Sequence, residues 1–126
     1  MRQRLMILAI VTAAAGTLLT AASPNLRTFF ASDFSDAEYQ QKVHTKVGKS
    51  WARPDKTPEP GSKSVVIATI LRDGSLLEAR LHHKSGSEPW DKSAQAAVEK
   101  SAPFDGLPKS YTRTSVEVHF HFEWNK

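Results

Sequence analysis

Cysteine is absent from the 126-residue chain. Its absence excludes a disulfide framework, thiol catalysis, thiolate zinc sites and cysteine-ligated iron–sulfur clusters. A strong excess of one charge is also missing: the chain has 17 basic and 13 acidic residues, and 15 basic residues remain when Arg2 and Arg4 are set aside. Such a near-balance provides no electrostatic footprint for nucleic acid. With 40% hydrophobic and 24% charged residues, the composition is that of one folded domain, not of a disordered, collagen-like or multi-span membrane protein.

The apolar runs are short as well, since a membrane-spanning helix needs about 20 residues. The strongest candidate, Leu5 to Ala22, follows two arginines and contains Gly16 and three threonines. A positive start, a short apolar stretch and small residues before a proline are typical of a secretory signal. We therefore predict a signal peptide over residues 1–22, with an uncleaved inner-membrane anchor as the alternative. In either case the remaining chain faces the periplasm, and it is held at the membrane only if the segment stays uncleaved.

The first predicted element of the exported part is a helix. Residues 23–34 show no hydrophobic periodicity, and we interpret them as a linker arm before a domain of residues 35–126. Ser35 followed by Glu38 forms a capping box, which marks a helix start. The helix must end before Pro54, because the residue preceding a proline is driven out of the α region. One apolar stripe runs along it at four-residue spacing, formed by Tyr39, Val43, Val47 and Trp51.

Two strands, a second helix and a third strand are predicted next. Residues 65–71 are apolar on both faces, which indicates a covered strand. Asp73-Gly74 predicts a two-residue type I′ turn, and residues 76–83 alternate as a half-buried strand. Three- and four-residue steps predict a helix over 90–101. The last strand, 114–124, alternates between two faces, with Val116, Val118, Phe120, Phe122 and Trp124 on one and Glu117, His119, His121 and Glu123 on the other.

This order predicts an α+β fold: a two-layer sandwich, helix–strand–strand–helix–strand, with a three-stranded antiparallel sheet. In order and spacing, several motifs resemble the TonB/TolA C-terminal domain family in its compact form. The resemblance runs from about Tyr39 to Trp124. Its motifs are Trp51 with Pro54, the Ile70-Leu71-Arg72-Asp73-Gly74 hairpin, Ser85-Gly86 before Trp90-Asp91, Ala96-Ala97-Val98 before Ala102-Pro103-Phe104, Leu107-Pro108, and the strand from Val116 to Phe122.

The resemblance implies a non-enzymatic envelope protein without a cofactor. Its partners would be envelope proteins, such as an outer-membrane receptor or a Tol-system component, and the family often binds them by adding a partner strand to its sheet. One departure concerns reach, because only residues 23–34 separate the N-terminal segment from the domain. At about 3.3–3.6 Å per residue, this arm cannot cross a periplasm. The departure argues against force transduction from an inner-membrane motor but not against partner recognition.

The last strand is the expected binding site. A terminal strand after a helical crossover commonly lies at a sheet edge, where its main-chain groups are unpaired and can hold an extended peptide. We therefore expect a partner segment to pair with residues 114–124. The predicted partner-binding residues are Val116, Glu117, Val118, His119, Phe120 and His121. Two alternatives stay open: the arm of residues 23–34 covers this edge and the polar residues are merely solvated, or the edge pairs two copies into a homodimer.

A metal site is a further alternative, although the main prediction assigns no metal. His119 and His121 are two residues apart on one strand face, as are two of the ligands in β-sheet zinc enzymes. His82 or His83 on the neighbouring hairpin would supply the third ligand, and zinc with an open position would activate water. Against this, the same face carries two glutamates and is expected to be exposed to solvent. A pair of surface histidines is usually part of a polar strand face.

Overall fold

The structure is a computed structural model that describes residues 25–125. The predicted signal peptide therefore lies outside the described residues. The elements in chain order are β1 Leu26–Phe30, α1 Ala37–Ser50, β2 Lys63–Leu71, β3 Leu76–His83, α2 Glu88–Ser101 and β4 Ser115–Glu123. Within residues 25–125, neither helix combines the length and the apolar character that a membrane crossing requires.

The strands form one antiparallel sheet in the order β1-β4-β2-β3. The α+β class is confirmed, but the sheet has four strands where three were predicted. The additional strand is β1, so interpreting Leu26–Phe30 as part of a loose linker arm is wrong. Its apolar residues are too few to show a period, and pairing with the distant β4 makes it a strand.

Both helices cover the same face of the sheet. α1 buries Tyr39, Val43 and Val47 as predicted, and α2 buries its small-residue face against β2 and β3. The helix-side face of β4 completes the core, where Val116, Val118, Phe120 and Phe122 are at most 2% exposed. The other face of the sheet has neither helix on it, and we call it the open face.

The starts of the two helices differ from the predictions for local reasons. The N-cap of α1 is Asp36, whose Oδ1 accepts a hydrogen bond from Tyr39 N at 2.8 Å, so the helix begins after Asp36 and Ser35 is not the cap. Aspartate and serine cap about equally well, and here the second candidate is used. α2 begins at Glu88, earlier than predicted, because Ser87 is its N-cap and Pro89 fits the first turn.

The β2–β3 hairpin is present, but its turn is one residue longer than a type I′ turn. Gly74 N donates to Leu71 O, and Leu71 N donates to Ser75 O, both at 2.8 Å. Arg72 and Asp73 therefore occupy the centre of the turn, and Gly74 follows with a φ of +92°. This is a three-residue loop, in which glycine supplies the left-handed residue next to the returning strand.

Candidate functional site

Strand β4 lies inside the sheet and not at its edge. It pairs with β2 along its whole length, from Lys63↔Glu123 to Leu71↔Ser115. On its other side it pairs with β1, from Leu26↔Phe122 to Phe30↔Val118. The prediction that β4 presents an open edge is therefore wrong, because residues of the arm cover it.

The six predicted site residues divide between the two faces of β4. Val116, Val118 and Phe120 point into the core and are at most 2% exposed. Glu117, His119 and His121 lie on the open face, where His119 Nε2 is 3.1 Å from Glu117 Oε2. The structure thus keeps these residues together on one strand, but a partner strand would meet their main chain only where β1 now lies.

The main-chain contacts of β1 continue to both ends of the strand. Ala31 N donates to Glu117 O at 3.2 Å, and Glu123 N donates to Asn25 O at 2.8 Å. The side chain of Asn25 adds a bond, because its Nδ2 donates to Glu123 O at 2.8 Å. Hydrogen-bonded pairs alternate along an antiparallel ladder, so Phe29↔His119 is also a hydrogen-bonded pair.

Three side chains of β1 point toward the helices. Leu26 is 4% exposed and belongs to the core. Thr28 Oγ1 lies 2.8 Å from His44 Nδ1 on α1, within hydrogen-bond distance. Phe30 packs against the core, with its ring stacked on Phe34 at a centroid distance of 4.8 Å. The β4 edge therefore provides two apolar contact points separated by a polar one.

The other two side chains of β1 lie on the open face. Arg27 Nη1 is 3.7 Å from Glu123 Oε2, a surface ion pair that is worth little by itself. The Phe29 ring meets the His121 ring edge-on, at a centroid distance of 4.8 Å. Phe29 is nevertheless 45% exposed. The open-face side chains of β1 therefore contribute one ion pair and one aromatic contact, although they are not buried.

Two histidines in contact with β1 have altered proton affinities. Burial lowers the pKa of the His44 imidazole below its ordinary value. Burial also lowers the pKa of His121, and the nearby Lys63 ammonium contributes in the same direction. Both rings therefore favour the neutral form more than a free imidazole does, and in that form one ring nitrogen can accept a hydrogen bond.

Strand β3 forms the opposite edge of the sheet and is less regular. Its register with β2 shifts between Val65 and Val66 and again between Thr69 and Ile70. Arg80 Nη1 is 2.9 Å from Glu78 Oε2, and Gln95 of α2 donates its Nε2 to the main-chain oxygen of Ala79 at 2.9 Å. Register irregularities and charged side chains are devices that discourage further strand pairing at an edge.

The alternative zinc site is not assembled. His119 and His121 share the open face, but β2 lies between β4 and the strand that carries His82 and His83. Two strand spacings amount to about 9.5 Å, whereas zinc requires ligand atoms about 2 Å from one ion. Within residues 25–125, no group of three or more histidine, aspartate or glutamate side chains could hold a metal ion.

Two features of the region were missed in the sequence. One is β1 with its Thr28–His44 contact, for which five residues give too short a pattern. The other is the role of Asp91, which the sequence showed only as part of the Trp90-Asp91 motif. Asp91 is 8% exposed, and its Oδ1 accepts hydrogen bonds from Ser64 Oγ at 2.6 Å and from Ser85 N at 2.8 Å. It ties the loop before α2 to β2.

A family model described as TonB C terminal matches residues 36–122. The chain belongs to the TonB C-terminal family. The matched segment of this TonB C-terminal domain begins after β1, so β1 lies outside it. No curated protein matches the chain significantly.

A solved structure shares the fold of this TonB C-terminal domain. It is the solution NMR structure of TolAIII bound to a peptide derived from the N-terminus of TolB. It is 21% identical, the similarity covers 72% of this chain and 77% of that chain, and the TM-score is 0.57. At this identity the likeness establishes the architecture alone, two helices on an antiparallel sheet.

Proposed function

We propose that this domain is a protein-binding module of the cell envelope that takes up an extended segment of a partner protein at the β1 side of β4. The observation that carries the proposal is β1 itself. A strand from outside the family-matched segment already lies on β4, in register over Leu26–Phe30. The β4 edge therefore accepts an added strand, which is the interaction that strand-addition partners use.

Regularity favours the β4 edge over the β3 edge. β4 pairs on both sides without a register shift, so its main-chain donors and acceptors are evenly presented. β3 carries two shifts, and Gln95 already bonds one of its carbonyl groups. A partner strand gains affinity mainly from continuous main-chain bonds. The partner-binding residues proposed are therefore those of β4, namely Val116, Glu117, Val118, His119, Phe120 and His121.

The partner class follows from the family and from the structural neighbour. We infer an envelope protein, such as an outer-membrane receptor or a component of the Tol system, met in the periplasm. A neighbour of the same fold that holds a peptide from TolB supports a protein ligand. The proposal requires neither catalysis nor a cofactor.

In-cell photocrosslinking tests this proposal. A photoreactive amino acid is placed at Glu117, His119 or His121 on β4, and at Glu78 or Arg80 on β3 as matched controls on the other edge. We expect a discrete envelope protein to be crosslinked from the β4 positions and identified by mass spectrometry, with weaker or no adducts from β3. Adducts from β3 alone would move the site to that edge. The absence of any adduct would refute the function.

A further inference from the structure

We propose that β1 occupies the partner-binding site, which is the edge of β4 that pairs with Leu26–Phe30, and that it covers this edge until a partner displaces it. The side chains of β1 then indicate which partner segment fits the site. This inference rests on the proposed function and deepens it. It is carried by the contacts of Leu26–Phe30 with β4 and α1. The ligand that we infer is an extended segment of a partner protein with the same pattern of side chains as β1.

β1 can detach from β4 without unfolding the domain. Among the described residues of the core cluster, Leu26 is the one that β1 contributes, with Phe30 packed at its margin. Apart from Leu26 and Phe34, the core comes from the elements that begin at α1. All sheet pairing of β1 is with β4. Loss of β1 therefore uncovers one strand edge and the two apolar contact points of Leu26 and Phe30, whereas loss of β2 or β4 would divide the sheet.

The contacts of β1 indicate which side chains a partner segment needs at each position opposite β4. An incoming strand that replaces β1 runs antiparallel to β4 and meets the same five positions. The first and fifth require apolar side chains, as with Leu26 and Phe30, and the third favours a hydroxyl group within reach of His44. On the open face, the second position favours a cation near Glu123 and the fourth an aromatic ring. The fitting segment is thus extended, with apolar ends, a central hydroxyl and no acidic residue at its second position.

β1 and a partner segment compete for the same edge of β4. Residues 31–36 join β1 directly to α1, so the strand stays near β4 even when it detaches. A short tether gives an effective concentration of about a millimolar. A free segment of equal intrinsic affinity therefore binds poorly to the intact protein and much better once β1 is weakened. This relation distinguishes a displaceable occupant from a permanent strand.

A peptide-binding assay on the full chain tests the inference. The probe is a fluorescein-labelled peptide with the sequence of residues 25–31, and a scrambled peptide is its control. Leu26→Asp places a charge in an apolar contact point and should release β1. Leu77→Asp makes the same change at an edge-strand leucine that is 65% exposed. We expect at least tenfold tighter probe binding to L26D than to the wild type or L77D. Equal binding by a folded L26D would overturn the inference.

A disulfide lock decides the question if L26D does not fold. The chain has no cysteine, so Phe29→Cys with His119→Cys introduces one pair across a register position of β1 and β4. The Cα spacing of about 5.5 Å in a hydrogen-bonded pair lies within the range that a disulfide spans. We expect millimolar peptide to shift the NMR signals of β4 in the reduced protein and to leave the oxidised protein unchanged. Identical shifts in both states would refute displacement.

These experiments use the strand sequence of the chain itself, so their result does not depend on identifying a partner. Failure of the peptide to bind, with an envelope protein still crosslinked from β4, would overturn the inference. It would leave the domain a protein-binding module whose partner contacts the open-face side chains of β4 and not its main-chain edge. A crosslinked partner that reaches only the locked, β1-covered form would have the same meaning. Partner binding lost on oxidation and recovered on reduction would support it.

Discussion

Replacing Gly74 by alanine should destabilise the domain far more than the same change at two glycines of similar backbone conformation. Gly74, Gly61 and Gly86 have φ values of +92°, +89° and +96°, so each substitution forces alanine into the left-handed region. That strain amounts to about 1–2 kcal/mol. The surroundings differ: a Cβ at Gly61 or Gly86 meets nothing within 4 Å, whereas at Gly74 it would lie 2.0 Å from Phe104 O.

The magnitude at Gly74 follows from what must move. The obstructing atoms are main chain, Phe104 O at 2.0 Å and Asp105 O at 2.8 Å, so no side-chain rotation relieves the contact. Overpacking of this kind costs about 1–3 kcal/mol, and loss of the 2.8 Å bond from Phe104 N to Gly74 O adds about 1 kcal/mol. With the backbone strain, the total is about 3–6 kcal/mol. For the two control positions it is about 1–2 kcal/mol, reduced by the lower entropy of the unfolded alanine chain.

Urea unfolding, followed by the fluorescence of the three tryptophans, of which Trp90 is fully buried, measures the three variants against the wild type. We expect G74A to lower the free energy of unfolding by at least about 2 kcal/mol more than G61A or G86A does, or to leave the domain unfolded at 25 °C. If the three variants fall within about 0.5 kcal/mol of one another, the close approach of the hairpin to the Phe104 loop does not exist as described. The comparison would then refute the reasoning at its structural premise.

Two further predictions concern pH and a buried carboxylate. Burial lowers the pKa values of His44 and His121, so these two side chains bind protons more readily in the unfolded chain than in the folded one. Their contribution to the free energy of unfolding is therefore fully present above the unfolded pKa of about 6.5, and it is lost as the pH drops below that value. Urea unfolding at pH 7.5 and 5.5 should show this loss, a His44→Gln, His121→Gln variant should show less of it, and an equal loss in the variant would contradict the assignment. Asp91→Ala leaves the Ser64 hydroxyl and the Ser85 N–H without their acceptor, at about 1–3 kcal/mol for each buried group, and should lower the unfolding free energy by about 2–5 kcal/mol. The exposed Asp73→Ala is its control, and equal losses from the two variants would disprove a structural role for the buried carboxylate.

The sequence predicted elements whose signals are local. The stripe of Tyr39, Val43 and Val47 and the alternation of β4 follow from the periods of helix and strand, and the core confirms both. Boundaries were less certain because two adjacent residues, Ser35 and Asp36, could each cap α1. The turn after β2 was misjudged because the Leu71–Ser75 main-chain bond, and not the Asp-Gly pair, sets its length.

What could not be predicted is non-local. β1 becomes a strand by pairing with residues more than 85 positions away, at Phe30↔Val118. Its contact with α1, between Thr28 and His44, likewise has no signature in sequence spacing. The six residues of the predicted site lie on one strand, as their alternation indicated, but whether that strand was an edge depended on where residues 26–30 pair. One sequence does not contain that information in any local pattern.

The two sides of this sheet are protected from unwanted strand pairing in different ways. An unpaired regular edge invites indiscriminate pairing with other chains, and β3 avoids it with register shifts and the Glu78–Arg80 ion pair. The same devices on β4 would also exclude a partner, because they interrupt the ladder that a partner must extend. Covering β4 with a short strand of the same chain protects the edge and keeps its ladder regular. Under the proposed displacement, selectivity would follow because a partner segment must match the contacts of Leu26, Thr28 and Phe30 well enough to replace them.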